Sequence, residues 1–194
     1  MPLVLAVAIV LAVQGWRRGA LVWLVVVAGT FAATLAAKLM FLSCDPVFGP
    51  MDIHSPSGHV AAAAVVCGGL AAILTRRRAS ILPAAVLAAV AIGVSRIVLH
   101  DHTVPEVVAG ASIGLAGAAV LFRFAGSPPP GLKIAPAIAA VAIVAAVFHG
   151  MHLPAEAAIR HTAFRAAQFI PACRPAGQAP ATAPDARWQR SGAK

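Results

Sequence analysis

Charge is what this chain has least of. Only 11% of its 194 residues are Asp, Glu, Lys or Arg, while 60% are hydrophobic and the mean hydropathy is +0.88. A soluble domain is usually about 45–50% apolar. Composition therefore excludes an ordinary soluble protein and points to an integral membrane one. Acid is scarcer than base, with six Asp and Glu against fifteen Lys and Arg. The net charge of +9 does not signal nucleic-acid binding, because most cations fall in short loops between apolar runs, where membrane topology collects them. Cysteine is rare too. Cys44, Cys67 and Cys173 form no C-x-x-C pattern for a metal. Cys67 lies in an apolar run and reads as packing, whereas Cys44 and Cys173 fall on one side of the membrane and could pair. The N-terminus lacks the basic region of a secretory signal, since Arg17 and Arg18 follow the first apolar run. No internal repeat is evident.

What is abundant is apolar sequence, in runs at 2–13, 20–37, 60–74, 81–99, 107–122 and 134–148. These predict an all-α fold, a polytopic membrane bundle of about six transmembrane helices. The first run is half-length, and others are near the lower limit of about 17 residues for a span. Ser127-Pro128-Pro129-Pro130-Gly131 cannot be helical and marks a turn. The membrane domain is expected over 1–150. A tail follows over 151–194, its last part rich in Pro, Ala, Gly and Arg and expected to be disordered. Within it, 155–170 could lie on the membrane surface as an amphipathic helix, with Arg160 and Arg165 turned to water.

If every run crosses, Arg17, Arg18, Arg76, Arg77, Arg78, Arg123 and Lys133 share one side, which loop charge makes cytoplasmic. The other side holds Lys38 and Arg96. It also holds all four acids before residue 150 (Asp45, Asp52, Asp101 and Glu106) and His54, His59, His100 and His102. An ionisable group in or near a bilayer is a functional hypothesis by default. The expectation is an inner-membrane protein with its site on the periplasmic, extracytoplasmic face.

Two short segments carry the chemistry. In Pro56-Ser57-Gly58-His59, Pro56 stiffens the entry to an apolar helix and Ser57 can serve as its N-cap. The first N–H groups of that helix lack intrahelical partners and, with the helix dipole, favour an anion. Gly58 would let a phosphate approach the backbone, with His59 beside it. The alternative is a plain helix start with an interfacial histidine. The second segment runs from Ser95-Arg96 to His102 and Glu106. Arg96 has the planar fork for bidentate phosphate contact, unless it merely snorkels. Ser95 could bind the same phosphate or bond back to its own helix. A carboxylate on one nitrogen of His102 would fix the tautomer and leave the other nitrogen free to attack. Glu106 has a rival structural role, because Thr103-Val104-Pro105-Glu106 reads as a capping box. A metal site drawn from His100, Asp101, His102, His54, Asp52 and Asp45 is a further alternative. Gly110, Gly114 and Gly117 would let the helix after Glu106 pack closely on a neighbour.

These residues resemble the type 2 phosphatidic acid phosphatase superfamily of membrane lipid phosphatases. Its Pro-Ser-Gly-His motif is matched in full. Its motif Ser-Arg, five residues, His, three residues, Asp is matched at the right spacing, with Glu106 in place of aspartate. Its remaining motif, Lys, six residues, Arg-Pro, is met by Lys38 and Pro46, with Asp45 where the arginine belongs. The similarity covers roughly residues 20–123. It implies that His102 is the nucleophile and forms a phosphohistidine, that Glu106 orients it, and that His59 protonates the leaving oxygen and then helps activate water. Lys38, Ser57, Gly58, Arg96 and Ser95 would hold the phosphoryl oxygens. No metal or cofactor is implied. The substrate implied is a lipid phosphate or diphosphate, with polyprenyl diphosphate or phosphatidate favoured. The alternatives are a lipid phosphotransferase, a metal-dependent hydrolase and a non-catalytic phospholipid-binding protein of the same fold.

Overall fold

The computed structural model describes residues 2–44 and 55–148, together with Thr162. Six α-helices lie within them: α1 (Pro2–Val13), α2 (Arg17–Ser43), α3 (Gly58–Thr75), α4 (Ile81–Val98), α5 (Val104–Phe124) and α6 (Ile134–Phe148). One 3₁₀ turn, Arg78–Ser80, leads into α4. The all-α expectation holds, and the protein is a multi-pass membrane protein. Four stretches are long and apolar enough to cross a membrane: α2, α3, α4 with its preceding turn, and α5. The expected six crossings are thus met by four helices of spanning length. At 1.5 Å per residue, α1 reaches only ~18 Å and α6 only ~22 Å, against a hydrocarbon core of about 30 Å. The two short helices pack on each other.

α2, α3 and α5 outrun the apolar runs that predict them because polar residues at the membrane boundary continue the hydrogen-bond ladder. α2 begins at Arg17 and continues through Lys38 to Ser43. α5 starts before its apolar run at a capping box, with Pro105 in its first turn. There the Thr103 hydroxyl accepts from the Glu106 N–H, and the Glu106 carboxylate accepts from the Thr103 N–H. α4 ends in a Schellman closure. The His100 N–H donates to Ile97 O at 3.0 Å and the Asp101 N–H to Arg96 O at 3.0 Å. His100 takes the left-handed position at φ 56° that glycine usually fills.

α3 is the centre of the bundle. It packs against α2, α4 and α5, and 44% of its span is buried within the protein, against 22% for the span containing α4. Glycine makes this possible. A Cβ on Gly110 would collide with the backbone carbonyl of Ser57, and one on Gly114 would come within 2.6 Å of Ala61 O. Gly117 lies against Thr30 and Val65 in the same way. The expectation that this stripe joins the two motif-bearing helices is met, and the contact is backbone against backbone. On the other flank, Trp23 of α2 fits over Gly69 of α3 and donates from Nε1 to Val4 O of α1 at 3.0 Å.

Alternating helix direction sorts the polar residues. Lys38 near the end of α2, His59 at the start of α3, Arg96 near the end of α4 and Glu106 at the start of α5 share one end of the bundle. Arg18, Arg78 and Arg123 share the other. There Arg18 Nε donates to Phe124 O at 2.9 Å, and the guanidinium groups of Arg78 and Arg123 lie over Phe122 and Phe124. The tail over 151–194, apart from Thr162, lies outside the described residues, and so does the surface helix expected at 155–170.

Candidate active site

Ser57 is the N-cap of α3 in an extended conformation, as Pro56-Ser57 predicts, but its hydroxyl makes no cap hydrogen bond. Instead the Ser57 backbone N–H donates to the Glu106 carbonyl oxygen at 3.0 Å, which ties the mouth of α3 to the first turn of α5. Ser57 is fully buried, and its Oγ has no hydrogen-bond partner among the described residues. The Ala61 N–H is the first to close onto the helix, donating to Ser57 O. The N–H groups ahead of it are left to an outside acceptor.

Glu106 is 5% exposed and makes both contacts weighed from the sequence, to the cap and to His102. Its Oε2 accepts from His102 Nδ1 at 2.8 Å and from the Thr103 N–H at 3.2 Å. Its Oε1 accepts from the Ser55 N–H at 2.7 Å. The capping box and the imidazole contact therefore belong to one carboxylate, not to rival arrangements. The extra methylene of glutamate lets an N3 side chain reach back over the cap to His102. Because an ionised carboxylate only accepts, Nδ1 is the donor in this contact, and in a neutral imidazole the lone pair is then on Nε2. The contribution of Ser55 could not be read from the sequence, since it comes from a backbone N–H 51 residues away.

These groups border a cleft of about 830 Å³ lined by Lys38, Ser55, Gly58, His59, Arg96, Asp101, His102 and Glu106 on its polar side and by Phe31, Leu35, Leu42 and Ala62 on its apolar side. Lys38 is 8% exposed, and its Cε runs 3.7 Å from where a Gly58 Cβ would be. A Cβ at Gly58 would make ordinary van der Waals contact with the lysine stem. His59 is exposed. Arg96 bonds through Nη1 to Asp101 Oδ2 at 3.0 Å. That ion pair was not singled out in the sequence, although the five-residue spacing across a helix end could have signalled it.

Of the sequence-predicted site residues, Lys38, Gly58, His59, Arg96, His102 and Glu106 thus meet around one cleft, with Ser57 buried beside them. Ser95 is half-buried and not part of the cleft lining. Its carbonyl accepts from Leu99 N–H within the helix end. Asp45, Asp52, His54 and Pro46 lie outside the described residues. Among the described residues no three His, Cys, Asp or Glu side chains gather as metal ligands. Cys44 is disulfide-bonded and Cys67 is free and exposed, while Cys173 lies outside the described residues.

A bundle of membrane-spanning helices with histidines, a carboxylate and two cations gathered at one end defines a class of protein, the polytopic membrane proteins with an ionisable cleft at one end of the bundle. Comparison with known families specifies it further. The profile of the PAP2 superfamily matches residues 20–128, more than half of the chain, and the chain belongs to that superfamily. Membership points to hydrolase chemistry in a membrane setting. A protein of Klebsiella pneumoniae described as "Uncharacterized 22.5 kDa protein in cps region" is 34% identical over 104 residues, covering 50% of this chain and 49% of that protein. The chain thus spans about half the length of this curated relative. No solved structure matches it.

Proposed function

We propose that the protein is a metal-independent phosphatase of lipid phosphates or diphosphates, working through a phosphohistidine. The observation that carries this reading is the His102–Glu106 contact at 2.8 Å within a carboxylate already held by two backbone N–H groups. A carboxylate so fixed sets the imidazole tautomer and stabilises the positive charge that develops on attack.

In the first step His102 Nε2 attacks phosphorus and the bond to the leaving oxygen breaks. His59 gives that oxygen its proton. In the second step water attacks the phosphohistidine, His59 takes a proton from it, and His102 is regenerated with release of phosphate. Lys38, Arg96 and the N-terminus of α3 with Ser57 and Gly58 hold the phosphoryl oxygens, supplying charge stabilisation in a fixed frame. Ser95 would assist only from behind Arg96. The apolar wall of Phe31, Leu35, Leu42 and Ala62 beside the cations supports a phosphate carried on a lipid. Phosphatidate and a polyprenyl diphosphate are the favoured substrates. The arginines at the far end of the bundle support a cytoplasmic location for that end, and hence a site on the periplasmic face of the inner membrane.

The test is phosphate release from a panel of lipid mono- and diphosphates by detergent-purified protein in excess EDTA, beside His102→Ala. Release by the wild type and none by the variant is the expected result. Release that requires restored metal would overturn the metal-independent route, and an active His102→Ala protein would overturn the phosphohistidine.

A further inference from the structure

Asp101 has no place in the chemistry above, yet it grips Arg96 twice. Its backbone N–H donates to the Arg96 carbonyl at 3.0 Å, and its carboxylate accepts from Arg96 Nη1 at 3.0 Å. The first contact belongs to the Schellman closure, which puts His100 at φ 56°. That turn aims the chain back over the end of α4, so the carboxylate of Asp101 returns to the arginine five residues before it. Both side chains line the cleft.

A guanidinium has two edges that can hold a phosphate or carboxylate in bidentate fashion. One is formed by Nη1 and Nη2, the other by Nε and Nη2. Asp101 takes one of the N–H groups of Nη1. Nε is buried and has no hydrogen-bond partner among the described residues. We infer that Asp101 is a positioning residue, which holds Arg96 by Nη1 and so fixes its guanidinium at the cleft for a phosphoryl oxygen. This rests on the reading of Arg96 as a phosphate ligand.

The sign of the effect follows from comparing two contributions. Asp101 is a negative charge near an anionic ligand, which weakens binding. Its side chain is 51% exposed, however, so solvent screens that repulsion. Arg96 is only 26% exposed, and without a partner it would retain rotamer freedom that the ligand must remove. Orientation outweighs repulsion, and removing the Asp101 charge weakens substrate binding.

The test compares Asp101→Asn, Asp101→Glu, Arg96→Lys and the double variant Asp101→Asn/Arg96→Lys in the detergent-purified full chain. Two readouts are used: KM and kcat with phosphatidate in mixed micelles, and the rise in melting temperature on adding inorganic phosphate, which needs no turnover. Asp101→Asn keeps the backbone N–H that closes the turn, so its melting temperature without phosphate should match the wild type. It should raise KM by about threefold to tenfold with kcat little changed, and weaken phosphate protection to match. Asp101→Glu should restore part of the loss. In the Arg96→Lys background, where no fork remains to orient, Asp101→Asn should change nothing further. An unchanged or lower KM in Asp101→Asn would overturn the positioning role, as would an undiminished effect in the Arg96→Lys background. In either case, weakened binding in Arg96→Lys alone would leave Arg96 standing as a phosphate ligand. If Arg96→Lys alone left both readouts unchanged, that role and this inference would fall together.

Discussion

At one end of the bundle Arg18, Arg78 and Arg123 are exposed and lean on what lies nearest, a backbone carbonyl or a phenyl ring. At the other end Lys38 and Glu106 are buried, His102 is hydrogen-bonded to Glu106 and Arg96 to Asp101, and Glu106 also accepts from backbone N–H groups of two chain segments. The two ends share residue types but not constraint. An exposed arginine at a helix end is solvated and interchangeable. A buried carboxylate with three donors is determined by everything around it. Function is expected where removal of a single group would strand others.

The largest effect expected from breaking this asymmetry is that of His102→Ala. It removes the only group proposed to bond covalently to phosphorus, and turnover should fall by ~10⁴-fold or more. Single-turnover assays in detergent would check this, and a fall of under tenfold would mean that His102 is not the nucleophile. Next comes Glu106→Gln, which keeps the shape but not the charge that holds the imidazole tautomer. Activity should drop by about 10²-fold or more. Glu106→Ala should add a loss of stability of about 1–3 kcal/mol from the stranded Ser55 N–H and the broken cap.

Gly110→Ala tests the packing that brings α5 onto the mouth of α3. The added methyl would meet the Ser57 carbonyl, and overpacking of this kind costs roughly 1–3 kcal/mol. A lowered melting temperature together with lowered activity is expected, because Ser57 would be displaced with it. Full activity in this variant would mean that the site does not depend on that close approach. The smallest effect belongs to the opposite end. Arg77→Ala should leave stability within about 0.5 kcal/mol and activity near wild type. A large loss of turnover there, with the fold intact, would erase the contrast between the two ends.

The helices could be read directly from hydrophobicity. The runs at 2–13 and 134–148 coincide with α1 and α6, and that at 81–99 is within one residue of α4. The run at 20–37 stopped six residues short of Ser43, because a lysine interrupts apolarity without interrupting a helix. Crossing was harder to judge than helicity. Length alone separates α1 and α6 from the four spans, and length is a weak guide where short helices pack on each other. For the candidate site, motif spacing named His59, Arg96, His102 and Glu106, which the structure brings around one cleft. It could not show that Glu106 serves the cap and the imidazole together, that Ser55 donates to it, or that Asp101 holds Arg96. It also gave Ser95 a share in the site that the cleft lining does not include.

What the sequence alone determined here is local or compositional. It covers which stretches are helical and apolar, where the turns fall, and which end of the bundle collects each charge once the helices alternate in direction. Those follow from short-range periodicity and from the cost of placing charge in lipid. Tertiary structure decided which donors satisfy which acceptors. The Ser55 N–H, the Ser57 N–H and the Thr103 N–H all converge on Glu106. The Thr103 contact is the local capping box, but the Ser55 and Ser57 donors reach Glu106 from the mouth of α3, which Gly110 and Gly114 let α5 approach closely, and hydrogen bonding depends on tenths of an ångström that no spacing along a chain encodes.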